Sequence, residues 1–487
     1  MRGHLLLWFL LFSFSCKSQT LNDAILFGQD HRIGNARFTA MSGSFGALGG
    51  NSSATTLNAA SIGVYRKGAG SASLGVSSQG LNTTHYGSTT SEYLTSGTLT
   101  NLALVFSNEL YDNDWMRFNV MFSYNRRNNF DSQNTIRGIN SESSKLDRYL
   151  YDILEEPVYI EDLYEIFPFG AGMAWGSELI DTVDGKYYHQ LESYGEEQQL
   201  HTKIRGGIGD YYAGFGANYE DKIYFGASLG ISSINYSLES TYTETPEESN
   251  VNTFLNSWSE STTLNISGRG LKLGLGVIYW IQEKNRIGFS FNSGTRYTIN
   301  EGYKKTMVAN WKDKDQTFAN SPEGVNEYEY VSPYNITISY GLVDKYIGSM
   351  NVDAEWVAYG RMKFNKVAGF PVDFSGVNNG IGNNVGPTLN LRLGGELLLG
   401  SFLFRGGGAL YGNPVKGKEY FNRYSISGGI GYRIKRATFD IAYSYLVSSS
   451  YETNIHFAEG IRLQPSTVDL FSHQFVLTAG FKFNKLQ

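Results

Sequence analysis

Phe475-Val476-Leu477-Thr478-Ala479-Gly480-Phe481-Lys482-Phe483 is the stretch that decides the architecture. Phe475, Leu477, Ala479, Phe481 and Phe483 fall on one face of an extended chain; Val476, Thr478, Gly480 and Lys482 fall on the other. A period of two belongs to a β-strand. A face with three phenylalanines, backed by one that carries a lysine, suits a strand with lipid outside and a polar interior behind it.

The same alternation returns along the chain. Strands are predicted over 68–80, 96–108, 115–127, 207–219, 222–237, 261–281, 286–299, 331–342, 347–364, 386–399, 402–412, 420–434, 437–450 and 470–484, fourteen in all. Glu109 to Asp114, Glu220 with Asp221, Gln282 to Asn285, Val343 to Tyr346, Gly400 with Ser401 and Lys435 with Arg436 are tight connections, each joining an even strand to the next odd one. The other connections are longer. Short turns on one side and long loops on the other are the rhythm of an outer-membrane barrel, which puts both termini in the periplasm. The expected fold is therefore all-β, a transmembrane antiparallel β-barrel of fourteen strands in the bacterial outer membrane, embedded in its lipids and inserted as a monomer by the barrel-assembly machinery.

Facing follows residue by residue. Met116, Phe118, Val120 and Phe122 share a face, as do Leu389, Leu391, Leu393, Leu397 and Leu399, and these point to lipid. Arg117, Lys272, Asp353, Glu355, Arg392, Glu396, Arg405, Arg433 and Asp440 lie on the opposite faces and are expected to line the lumen. A basic residue facing hydrocarbon at mid-depth costs about 2–4 kcal/mol, so the charges belong inside. Both signs occur in similar number, which favours paired charges over a single-sign filter.

The composition agrees. The 56 Gly, 34 Tyr and 30 Phe against 9 Pro go with a mean hydropathy of only −0.28, far too polar for a helical membrane protein. A barrel spends every second residue on its interior and so conceals its membrane signal. The net charge of −6 carries no concentrated basic surface, so nucleic acid is not an expected partner.

Residues 1–18 read as a secretory signal peptide: Arg2, then the apolar run Leu5 to Phe14, then Ser18 before a cleavage site at Gln19. Cys16, the one cysteine, leaves with it; a lipidated Cys16 is the alternative, disfavoured by Ser13 at the aliphatic position of a lipobox. Residues 19–66 do not alternate. They are rich in small residues and expected to form a hatch packed inside the barrel 67–487, with Gly43, Gly46, Gly49, Gly50 and Asn58 as its gate residues.

The longest connection, 128–205, carries apolar residues at helical spacing: Leu146, Tyr149, Leu150 and Ile153, then Phe167 and Trp175. These either pack on each other over the barrel mouth or form an outward groove that captures an apolar ligand. Enzyme signals are weak. The seven histidines show no metal-ligand spacing, and no nucleophile elbow, P-loop or dinucleotide fingerprint is present, so neither a metal nor a cofactor is expected.

Arg37 to Gly50 followed by Asn58-Ala59-Ala60-Ser61-Ile62-Gly63-Val64-Tyr65-Arg66 resembles the hatch of the FadL/TodX family of outer-membrane transporters for long-chain fatty acids and aromatic hydrocarbons, in a Bacteroidetes-type branch often labelled haemin receptor. Asp353-Ala354-Glu355-Trp356, Leu391-Arg392-Leu393-Gly394-Gly395-Glu396 and Phe404-Arg405-Gly406-Gly407-Gly408 add to the likeness. The resemblance implies fourteen strands, an internal hatch, passive uptake of a hydrophobic small molecule and lateral release through a gap in the wall. It leaves two alternatives: haem uptake, for which His189 and His201 are conceivable ligands, and a docking barrel of a secretion machine. Where the family commonly has Asn-Pro-Ala the chain has Asn58-Ala59-Ala60. The third strand lacks a proline kink, which makes the glycine runs 406–408 and 428–431 candidates for the gap.

Overall fold

The computed structural model describes residues 20–110, 114–155, 158–191, 193–247, 254–282, 284–370, 372–417, 422–448, 451–456 and 464–483. The expected leader, with Cys16 and the Ser18 cleavage site, lies outside them.

Fourteen strands close into one ring: β1 (Gly68–His85), β2 (Ser88–Glu109), β3 (Trp115–Asn129, resumed over Ser132–Asn140), β4 (Glu196–Tyr219), β5 (Ile223–Thr245), β6 (Leu255–Trp280), β7 (Asn285–Asn292, resumed over Arg296–Trp311), β8 (Gly324–Val331, resumed over Asn335–Asp344), β9 (Gly348–Val357, resumed over Lys363–Lys366), β10 (Thr388–Leu399), β11 (Phe402–Tyr411), β12 (Arg423–Ile434), β13 (Ala437–Ser448) and β14 (Ser466–Phe483). Neighbours pair antiparallel, and β14 closes onto β1 from Gly68↔Phe483 to Thr84↔Thr467. Closure joins the first strand to the last, so neither end of the sheet is left as a free edge, where an unpaired backbone group in lipid costs several kcal/mol.

The alternation sets the two surfaces. Leu393 is 47% exposed and Phe439 54%, whereas Asn390 is 5% exposed and Asp353 is fully buried. No described helix is long and apolar enough to cross a membrane.

Several strands run further on the long-loop side than expected. β3 continues to Asn140 and β4 begins at Glu196, so the expected loop 128–205 shrinks to 141–195. The extensions, such as Ser132–Asn140, leave the apolar alternation behind because neither face meets hydrocarbon. Their ladder still satisfies the backbone, which is what keeps them extended.

Residues 20–66 fill the inside of the ring. Helix α1 (Leu21–Gly28) begins with a capping box between Thr20 and Asp23, and α2 (Ala36–Ala40) begins at Asn35, whose side chain accepts the Phe38 N–H at 2.9 Å. A glycine-rich turn and two 3₁₀ turns, Ser53–Thr56 and Ala59–Ile62, lead to β1. The wall makes room for this segment with glycine. A Cβ on Gly276 would stand 1.8 Å from Asn58 Oδ1, on Gly226 2.1 Å from the Ala59 carbonyl oxygen, and on Gly407 2.4 Å from the Met41 backbone.

Candidate functional site: the lumen and a seam in its wall

Charged side chains from both sides join the segment to the wall. Nearest the short-turn end, Arg37 Nε and Nη2 donate to Glu396 at 3.0 Å each, and Arg405 bridges Glu396 and Asp440 at 2.6 Å. Deeper in, Arg32 and Arg392 both donate to Glu355, and Arg32 also meets Asp30. Lys272 and Arg127 converge on Asp210, with Arg127 3.6 Å from Asp30 as well. Buried charges need such partners, because an unpaired one keeps its full desolvation penalty.

All nine residues expected in the lumen point inward. Arg117 pairs with Glu109 and Asp221 near the rim, and Arg433 is the most open to solvent. Some pair among themselves, Arg392 with Glu355 and Arg405 with Glu396 and Asp440, whereas the partners Arg32, Arg37 and Asp210 were not anticipated. Arg32 and Arg37 belong to a segment with no readable period, but Asp210 stands two residues before Tyr212 on the inward parity of β4, and that alternation could have found it.

The glycine turn is held by Asp353, which accepts the N–H of Phe45 at 3.0 Å and of Gly46 at 3.1 Å. Gly43, Gly49 and Gly50 have φ of 75°, 66° and 64°, the left-handed region that only glycine enters without strain. Gly46 has no such angle; a Cβ there would meet the Ser339 hydroxyl at 1.9 Å. Asn58 Nδ2 donates to the Gly46 carbonyl oxygen at 2.8 Å while its Oδ1 accepts the Ala60 N–H at 3.0 Å, so it ties the two halves of the segment together without a proline.

Above the charges lies an apolar chamber occupied by α1. The Phe27 ring sits about 6 Å from Phe130, Tyr236 and Tyr330, in edge-on geometry with each. Ile208, Ile234, Ile299, Tyr297 and Phe364 continue the lining. The direct polar tie from the chamber wall is Tyr330, whose hydroxyl donates to the Ala24 carbonyl oxygen at 2.7 Å.

Beside that chamber the wall comes apart. β2 and β3 pair from Glu109↔Arg117 only as far as Asn101↔Asn125. Past that point β3 bulges between Arg126 and Asn128, breaks at Phe130 and follows β4 instead. No ladder crosses the seam among the described residues, and its bonds use side chains on at least one side: Asn129 Nδ2 donates to Ser96 Oγ at 3.2 Å, the Thr135 hydroxyl donates to Glu92, and the Thr90 hydroxyl donates to the Thr135 main-chain carbonyl oxygen. This corrects the expectation that the glycine runs open the wall. β11 and β12 pair without a shift from Phe402↔Tyr432 to Tyr411↔Arg423, and Gly407 serves the approach of Met41. A bulge releases the ladder of β3 where a proline was sought.

The outer cap also departs from the capture-groove expectation. Leu146, Tyr149 and Ile153 are buried on the helix Leu146–Glu155, and Leu150, Phe167 and Trp175 pack partly buried against the same cluster, which includes Trp258 and Met307. They form the core of a lid over the mouth, because an amphipathic helix buries its apolar stripe when strand extensions offer it a surface. His189 Nε2 lies 3.1 Å from Asp147 Oδ1, and His201 Nδ1 2.8 Å from the Thr135 hydroxyl, on different elements. Among the described residues no group of three His, Cys, Asp or Glu is placed to hold a metal.

No family model matches the chain, and no curated protein does. Solved structures do. A Pseudomonas aeruginosa FadL homologue superposes with a TM-score of 0.55 at 12% identity, covering 93% of this chain and 98% of its own. The Pseudomonas putida toluene transporter TodX gives 0.52 at 13%, covering 94% and 100%, and the CymD monoaromatic hydrocarbon channel 0.51 at 12%, covering 94% and 100%. At such identities the likeness is one of backbone architecture: the fold of this chain is that of the FadL and TodX channels.

Proposed function

We propose that the protein is an outer-membrane channel that admits hydrophobic small molecules, such as fatty acids or aromatic hydrocarbons, by diffusion and without covalent chemistry. One observation carries the reading: the aromatic chamber around Phe27 shares Phe130 with the unpaired seam between β2 and β3. An apolar chamber that abuts a gap in a lipid-facing wall gives an apolar molecule a path that avoids water. Residues 20–66 act as the hatch, since their ion pairs close the axial route, and α1 holds the chamber until a ligand replaces it. The fold shared with channels for toluene and monoaromatic hydrocarbons supports the class of cargo.

The test is to stitch the seam. Ser96→Cys with Asn129→Cys sets two thiols facing each other across the seam, at positions whose side chains now meet at 3.2 Å. Oxidised protein in liposomes should lose passage of a hydrophobic fluorescent probe and recover it on reduction. Equal passage in both states would reject the lateral route, and mass spectrometry of molecules retained in mild detergent would identify the cargo.

A further inference from the structure

The short-turn end of the lumen holds a cavity of about 140 Å³ between the N-terminal segment and strands β1, β2 and β11–β14. Its lining brings Arg37, Arg405, Arg433 and Lys482 together with a single carboxylate, Asp440. The inner part is balanced, because Arg37 and Arg405 share Glu396 and Arg405 also holds Asp440. The outer part is not. Among the described residues no carboxylate lies within ion-pair distance of Arg433 or Lys482, and the charges that act on Lys482 are Arg433, Arg37 and Lys67, all of its own sign. Lys435 and Arg436 extend the basic arc along the rim, while the rim near β3 and β4 carries Glu109, Asp114, Glu220 and Asp221.

Like charges gathered in a concave, partly enclosed site focus a positive potential, and the arrangement is relieved by an anion. The Tyr65 side chain and the Ser71 and Thr438 hydroxyls lie in the same lining as neutral donors. We propose that this vestibule binds an oxyanion, a carboxylate or a phosphate, between Arg433, Lys482 and Arg37. A guanidinium presents a planar fork to such a group and an ammonium adds a point charge, the pairing that oxyanion sites commonly use. Arg37 belongs to the N-terminal segment, so a bound oxyanion competes with Glu396 for the contact that fixes the segment to the wall. The proposal stands apart from the hydrophobic route, since it concerns the opposite end of the lumen.

The test is calorimetric titration of the full-length protein in neutral detergent with inorganic phosphate and with octanoate, at low salt. Binding of at least one probe is expected, weakening as sodium chloride is added. Arg433→Gln with Lys482→Gln should lower that affinity about tenfold or more, whereas Lys435→Gln with Arg436→Gln, outside the cavity, should leave it within about twofold. Phosphate binding alone assigns the site to free ions; tighter octanoate, lost in the same double variant, assigns it to the head of an amphiphile. Should the double variant not fold, as judged by heat-modifiable migration, Arg433→Lys with Lys482→Arg keeps the charge and must keep the binding. The proposal is overturned if neither probe binds, if Arg433→Gln with Lys482→Gln changes nothing, or if Lys435→Gln with Arg436→Gln matters as much.

Discussion

Arg37 forks onto Glu396, Nε to Oε2 and Nη2 to Oε1 at 3.0 Å each, and this ion pair ties the N-terminal segment to β10 of the wall. Because Glu396 keeps Arg405 when Arg37 is removed, Arg37→Ala should free the segment without unfolding the ring. A loss of about 1–3 kcal/mol in the opening free energy of residues 36–52 is expected, read by hydrogen exchange. Arg37→Lys should recover only part of it, since an ammonium cannot form the fork.

The wall glycines make a sharper contrast. Gly276→Ala places a methyl 1.8 Å from Asn58 Oδ1, whereas a Cβ on Gly406 has the Ser427 carbonyl oxygen at 3.9 Å as its neighbour. Gly276→Ala should expose residues 53–63 to protease in a barrel that still migrates as folded, and Gly406→Ala should behave as wild type. Equal protection in both would show that the segment does not depend on that approach.

Facing can be tested by depth. Leu393→Arg, in the middle of the lipid face of β10, should cost about 2–4 kcal/mol in urea titration, and Leu399→Arg at its short-turn end about 0–1 kcal/mol. Similar costs at both sites would contradict the placement of the hydrocarbon belt.

Sidedness follows from the turns. In a cysteine-free background, Tyr159→Cys and Asn320→Cys should react with an impermeant maleimide on whole cells, while Lys284→Cys and Lys345→Cys should stay silent until the outer membrane is opened. All four positions are exposed, so access alone decides the result. The reverse pattern would invert the barrel.

The cap should loosen in acid. Burial pushes the Asp147 carboxyl up, but the bonds from His189, the Ser144 N–H at 2.8 Å and the Tyr194 hydroxyl at 2.9 Å outweigh it and hold the group below its usual value. A depressed folded-state value means that the stabilisation is complete above the ordinary carboxylate range and is lost as pH falls through the folded value. Protection of the helix Leu146–Glu155 should therefore drop on acidification, and Asp147→Asn should flatten that dependence while weakening the cap at neutral pH.

The sequence by itself determined the ring. Alternation such as Phe475 to Phe483 puts lipid and lumen on fixed sides, and six tight turns count the strands, because both signals are local and repeat every few residues. It also separated residues 19–66 from the strands by their lack of period. Only the tertiary structure decided what meets inside. The fork of Arg37 on Glu396 spans 359 positions, and the single bond from Arg32 to Glu355 spans 323, so no local pattern could pair them. The seam followed the same logic: β3 leaves β2 at Asn125 through a bulge at Arg127, a choice between two neighbouring strands that no residue announces. The glycines at 226, 276 and 407 were visible as glycines, yet their purpose belongs to the segment that presses against them, and that contact exists only once the ring has closed.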